Sequence, residues 1–126
     1  YSLFPNIVLF RSLGYPYAYR FIPVQGNHEA TYYDFMMFAP KPANGEPIPE
    51  TRYINLGPDD SYSDCGAFAP WHGQIYDQDA DAFALSQAGL RDGGDADLMF
   101  SNYQEVRIRH FHQTLSRYID EAPAKK

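Results

Sequence analysis

The sequence predicts an α+β domain, or part of one, with an aromatic interior. Residues 3–10, 17–24 and 31–39 are apolar, aromatic and β-branched runs separated by turn residues, as expected of strands joined by short connections. Residues 77–88 and 103–120 carry apolar positions three and four apart, the spacing of one helix face. The stretch between these groups holds too many prolines to continue either.

In the first strand, Pro5 lacks a backbone donor and suits the start, an edge or a bulge. Residues 11–16 read as a turn around Gly14 and Pro16. In the second strand, alternation puts Tyr17, Tyr19 and Phe21 on one face and Ala18, Arg20 and Ile22 on the other. Gly26-Asn27 marks the next turn, and the third strand follows over residues 31–39. Such short turns make antiparallel neighbours the natural pairing.

Pro40, Pro42, Pro47, Pro49 and Pro58 exclude an interior helix from residues 40–58, and residues 59–70 continue in turn-forming sequence. A loop of this length serves a function or wraps a partner. The helix over residues 77–88 opens on Asp77, Asp79 and Asp81, which suit its amide-exposing end. Ala80, Phe83, Ala84 and Ala88 lie near one face, and Gly89 stands where a glycine cap belongs. Residues 92–95 form an acidic turn. Ser101 with Gln104, or Asn102 with Glu105, has capping-box spacing before the last helix. Its stripe is Ile108, Phe111, Leu115, Tyr118 and Ile119, with Arg107, Arg109 and Arg117 largely off it.

Composition narrows the function classes. With 44% hydrophobic and 21% charged residues, the chain is neither disordered nor membrane-like in composition. A net charge of -6, with no basic cluster among the aromatics, argues against a nucleic-acid surface. The single cysteine, Cys65, rules out an intrachain disulfide framework and a zinc-finger pattern; a reducing, cytoplasmic setting is the expectation. Tyr1 leads directly into an apolar run, so the chain reads as starting in mid-structure.

Few residues suggest chemistry by themselves. On a regular helix Asp77 and Asp81 share a side and Asp79 faces away. Either one side looks into a pocket, or all three serve only the helix dipole, the more ordinary arrangement. His28-Glu29 lacks the second histidine of a metal motif and reads as a solvated turn. His72, beside Trp71, is a pocket wall, a proton donor or a structural imidazole. His110 and His112, two apart on one helix, cannot share an ion without distorting it. There is no nucleophile elbow and no phosphate-cradling loop.

Three stretches carry a resemblance: Leu3-Phe4-Pro5-Asn6; Asp79 through Gln87-Ala88-Gly89-Leu90, an Asp-x(7)-Gln-x-Gly-Leu pattern; and Tyr103-Gln104-Glu105-Val106-Arg107-Ile108-Arg109-His110-Phe111-His112, running to Tyr118-Ile119. In order and spacing they resemble the catalytic domain of ring-hydroxylating oxygenase alpha subunits, the Rieske-type non-haem iron oxygenases. The resemblance implies a portion of a helix-grip (START-like) fold over residues 1–122: an antiparallel sheet packed on a long helix, then a C-terminal helix and a flexible tail at 123–126. It implies mononuclear Fe(II) held by two His and one Asp, the Asp being Asp79, with Asp81 in reserve. Ala84 stands where family members often carry Glu. The family's two-His motif and its [2Fe-2S] Rieske domain are not in this sequence, and His28, His72, His110 and His112 do not match that motif.

Phe35, Met37, Trp71 and Phe83 are the candidate substrate-pocket residues, with ordinary packing equally compatible. The implied partners are a small organic substrate and O2, with a ferredoxin and/or flavin reductase as electron donor. The implied assembly is a homotrimer or α3β3. Two other readings keep the fold but not the chemistry. One is a non-enzymatic helix-grip ligand-binding protein. The other is an assembly module that buries residues 40–58 and the last helix between subunits.

Overall fold

In a computed structural model of the chain, the first strand-like run turns back on itself. Residues 1–11, 16–94 and 96–123 are described, and they divide into two units, Tyr1–Lys41 with Asp97–Lys126, and Pro42–Ala96. The turn expected over residues 11–16 falls mostly on 12–15, outside the described residues, as do Asp95 of the acidic turn and 124–126 of the tail.

The first unit opens with β1 (Ser2–Leu3) and β2 (Ile7–Phe10), followed by β3 (Tyr17–Val24) and β4 (Asn27–Met37). They form one antiparallel sheet in the order β1-β2-β3-β4. The single strand expected over residues 3–10 is therefore a hairpin. Its turn holds Pro5, whose missing donor would have interrupted a continuous ladder, and the Phe4-Pro5 peptide is cis. Asn6 ties this turn to β3, its side-chain amide donating to the Phe21 carbonyl at 2.8 Å while its own carbonyl accepts the Phe21 N–H at 3.0 Å.

The third expected strand also shifts, starting at Asn27 and ending at Met37. Val24 pairs with Asn27, so the turn is Gln25-Gly26, and Gly26 takes φ 78°, a conformation open to glycine at little cost. His28 and Glu29 consequently lie in strand β4, not in a turn.

Alternation places the aromatics as expected. Tyr19 faces Phe35 and Phe21 faces Tyr33 across the β3–β4 ladder, while Phe10 faces Tyr17 across β2–β3. Ring centroids lie 4.7 Å apart for Phe10–Tyr17, 5.4 Å for Tyr17–Phe35 and 5.1 Å for Phe21–Tyr33. These half-buried rings form a continuous stripe on one sheet face. The opposite face holds Ala18, fully buried at 0% exposure. It also carries the Arg20–Asp34 pair, in which Nε donates at 2.9 Å.

Helix α2 (Val106–Asp120) completes this unit. The capping exchange before it spans four residues rather than three: the Glu105 N–H donates to the Ser101 hydroxyl at 3.2 Å, and the Glu105 carboxylate accepts the Ser101 N–H. Arg109 reaches back one further turn, donating to the Asn102 side chain at 2.8 Å and its carbonyl at 2.6 Å. Of the expected stripe, Phe111 and Leu115 are half-buried, whereas Ile108, Tyr118 and Ile119 stay exposed. Phe111 and Tyr118 pack on Phe4, with centroids 5.7 and 5.2 Å apart, so the helix is held to the β1–β2 turn by rings.

In the second unit, residues 46–56 form no helix, strand or turn and are exposed except for half-buried Leu56. Residues 57–68 coil through short side-chain turns, with Asp60 accepting the Gly57 N–H at 2.7 Å and Ser61 donating to Asp64 at 2.8 Å. Helix α1 (Pro70–Asp92) follows and is much longer than the expected 77–88. Pro70 at its first position starts it, where the missing N–H costs nothing. It passes through Gly89 and is capped by Gly93, whose N–H reaches the Gly89 carbonyl at 2.9 Å. Gly89 is thus an interior glycine, a tolerated cost of about 1 kcal/mol relative to alanine. The chain is α+β, a sheet followed by two helices, in the element order of a helix-grip domain.

Candidate functional site

The three helix carboxylates are the natural starting point. With α1 beginning at Pro70, none of them lies in its first turn, so the dipole reading of the trio fails. Each has a different environment instead.

Asp77 is half-buried and committed. One carboxylate oxygen accepts the Tyr62 N–H at 2.6 Å, and the other accepts the Ser63 N–H at 3.2 Å. Contact with the Ser63 side chain holds its carboxyl below the ordinary value, against the opposing effect of burial, and the two backbone donors add to the lowering. One turn earlier, Gly73 is buried and its Cα lies against the same backbone: a Cβ there would sit 2.3 Å from the Ser63 Cα and 2.5 Å from its nitrogen. Tyr76 completes the contact, its ring 5.0 Å from Phe68 and 6.1 Å from Tyr62.

Asp79 is half-buried, and no hydrogen bond or ion pair engages it among the described residues. Asp81 is exposed. Asp79, Phe83 and Gln87 succeed one another at four-residue intervals on α1, which aligns them along one side of the helix. Phe83 is 42% exposed, and Gln87 is half-buried.

Trp71 lies in the first turn of α1, 61% exposed, with its ring 3.5 Å from that of His72. Phe35 and Met37 lie on one face of β4. Phe35 belongs to the aromatic stripe, 5.4 Å from both Tyr17 and Tyr19, and Met37, at the strand end, is half exposed. The pocket candidates therefore form two sets, Trp71 and Phe83 on the helix and Phe35 and Met37 on the sheet. A separate cavity of about 470 Å3 lies in the sheet unit, lined by Pro5, Ile7, Val8, Phe21 and Phe111 among others.

The histidines stay scattered. His28 is exposed on β4; His110 and His112 are exposed on α2, the latter stacked on Phe100 at 5.6 Å. The Cys65 thiol donates to the Tyr62 carbonyl at 3.1 Å. Among the described residues, no group of three His, Cys, Asp or Glu gathers in a metal-binding arrangement. No described helix is long and apolar enough to cross a membrane.

Sequence reasoning missed Gly73 and the segment it touches. The available signals were Pro70 as a helix start and the four-residue spacing of Gly73 and Asp77, which places both on one helix side.

Residues 1–121 match the family model of the ring hydroxylating alpha subunit (catalytic domain). The chain belongs to this family. No curated protein and no solved structure matched it. A ring-hydroxylating alpha catalytic domain is oxygenase sequence, and the family generally uses mononuclear iron. A ferrous site of this type takes imidazole nitrogen and carboxylate oxygen. Asp79, half-buried and uncommitted, suits the carboxylate place better than hydrogen-bonded Asp77 or exposed Asp81. Among the described residues the four histidines do not join it in one cluster.

Proposed function

We propose that this domain is the C-terminal part of the catalytic domain of a Rieske non-haem iron oxygenase, with Asp79 as its carboxylate ligand and Asp81 the reserve. The enzyme inserts oxygen from O2 into an aromatic or other apolar organic substrate. Electrons come from a [2Fe-2S] Rieske centre supplied by a ferredoxin and/or flavin reductase. The family match over residues 1–121 carries this reading. The uncommitted, half-buried carboxylate of Asp79 supports the choice of ligand.

Mononuclear Fe(II), when bound, supplies dioxygen activation at coordination positions that the protein leaves open. Asp79 contributes an anionic oxygen that offsets the cation's charge and fixes one coordination direction. Phe83, on the side of α1 that carries Asp79, offers an apolar wall to a flat substrate; Trp71 on the same helix, and Phe35 and Met37 on the sheet, are separate apolar candidates. The subunits assemble as a homotrimer or α3β3 in the cytoplasm, where such reductases operate.

The test is the mononuclear iron content of the alpha subunit carrying Asp79→Ala, with the Rieske signal as the folding control and Asp81→Ala alongside. The expected result is loss of mononuclear iron in Asp79→Ala alone, with the Rieske centre intact. Iron held at the wild-type level in Asp79→Ala removes this residue from the site, and loss in Asp81→Ala instead moves the assignment there.

A further inference from the structure

Helix α1 is held on one side. Gly73 and Asp77, one turn apart, both touch the backbone of Tyr62 and Ser63, through close approach at Gly73 and through two accepted N–H groups at Asp77. Two contacts one turn apart along an axis fix both the axial position of a helix and its rotation. One contact alone would leave the helix free to roll. The approach at Gly73 has no slack, since even a methyl group would overlap Ser63. The Asp77 carboxylate binds both donors at once, so a modest roll of α1 would break at least one bond.

Asp79 follows Asp77 by two residues, so its direction is set by the same rotation. At about 100° per residue, a helix puts side chains two apart roughly 160° from each other. The side gripped by the Tyr62-Ser63 backbone and the side presenting Asp79 are therefore different, and the clasp does not engage Asp79. A carboxylate that must meet a metal within a few tenths of an ångström needs such support, because a ligand's orientation is set by what holds its element.

We propose that Gly73 and Asp77 are positioning residues for Asp79: by clasping the Tyr62-Ser63 backbone they set the rotation of helix α1 and so aim the metal-binding carboxylate. The inference rests on the assignment of Asp79 as the iron ligand. Both residues are engaged by the Tyr62-Ser63 backbone. Their effect passes through the helix, so it shows in how firmly and how uniformly iron is held.

The experiment uses the alpha subunit carrying Asp77→Asn, Asp77→Ala, Gly73→Ala or the exposed-face control Gln74→Ala, beside Asp79→Ala. Asp77→Asn keeps the volume and one acceptor, so it preserves folding if the bulkier change at Gly73 does not. Three quantities are read: hydrogen exchange at the Tyr62 and Ser63 amides, the rate of mononuclear iron loss to a ferrous chelator, and the electron paramagnetic resonance of the ferrous site with nitric oxide added. The Rieske signal reports folding.

In the Asp77 variants the amides are expected to lose protection and iron to leave about tenfold faster, the scale of outer-shell changes at metal sites. The nitric oxide signal is expected to split into more than one species, and Gln74→Ala should behave as wild type. Lost amide protection with unchanged iron loss and an unchanged signal overturns the inference. Unchanged protection in both Asp77 variants overturns it too, because the clasp would then not depend on Asp77. In either case iron loss in Asp79→Ala leaves the ligand assignment standing, whereas iron retention in Asp79→Ala is the failure of that assignment.

Discussion

Asp77 and Asp79 differ by two positions and have different tasks, and pH separates them. The Asp77 carboxyl lies below its ordinary value of 3.8 because the charged form accepts hydrogen bonds in the folded chain. A group with a depressed folded value stabilises fully above its unfolded value and loses that contribution as pH falls through the folded one. Protection of the Tyr62 and Ser63 amides, corrected for intrinsic exchange, is therefore expected to hold at neutral pH and collapse only below the ordinary carboxylate range. Loss of protection near neutrality would contradict the hydrogen-bond assignment. Gly73→Ala is expected to destabilise the 42–96 unit by about 1–3 kcal/mol, the usual cost of overpacking, as measured by denaturant unfolding. Sequence spacing does place Asp77 and Asp79 on different sides of a helix, but it does not say which side is gripped. The partner, Tyr62-Ser63, contributes two backbone amides, which leave no trace in residue identity, and only the Ser63 side chain beside Asp77 could have shown in the sequence.

Among the elements, legibility follows how local the cause is. Strand β3 is readable because alternation of Tyr17, Tyr19 and Phe21 against Ala18, Arg20 and Ile22 is a two-residue pattern. Helix α2 is readable because its apolar spacing is regular. The start of α1 is not, because Gly73 and the acidic residues that follow mimic a loop and helix start, while the decisive Pro70 lies seven positions before Asp77. The β1–β2 hairpin is hidden by a continuous apolar run in which only Pro5 marks the reversal. The attachment of α2 gives a stability prediction: Phe111→Ala is expected to cost about 2 kcal/mol, less than the ~3–5 kcal/mol of a fully buried phenylalanine, because this ring is half-buried. By contrast Asp34→Ala, which removes the exposed cross-strand pair with Arg20, is expected to cost only about 0.5 kcal/mol. Thermal unfolding of the two variants ranks these effects.

At the scale of the whole molecule, the α+β class and the family follow from the order of motifs along the chain. The division into two units does not, because residues 97–126 join the sheet unit across the intervening 42–96 segment. Arg52 lies in the exposed, irregular stretch of the second unit. Trypsin is expected to cleave after Arg52 well before it reaches Arg20 in β3, as peptide mapping over time would show. Cleavage at Arg20 first would mean that the sheet opens more readily than its paired strands imply.

Because the clasp on α1 reads main-chain N–H groups, it imposes an uneven constraint on which amino acids each position tolerates. Most side chains at position 63 keep the donor that Asp77 requires, and proline alone removes it. A saturation scan of this segment should therefore show a sharp intolerance to proline at 63 above a milder cost of losing the serine hydroxyl that also contacts Asp77, facing near-complete intolerance to any side chain at 73. Position 62 should be stricter, since the Tyr62 ring also packs on Phe68 and Tyr76. Two stretches of sequence can thus be tightly coupled in structure while sharing almost no covariation in residue type.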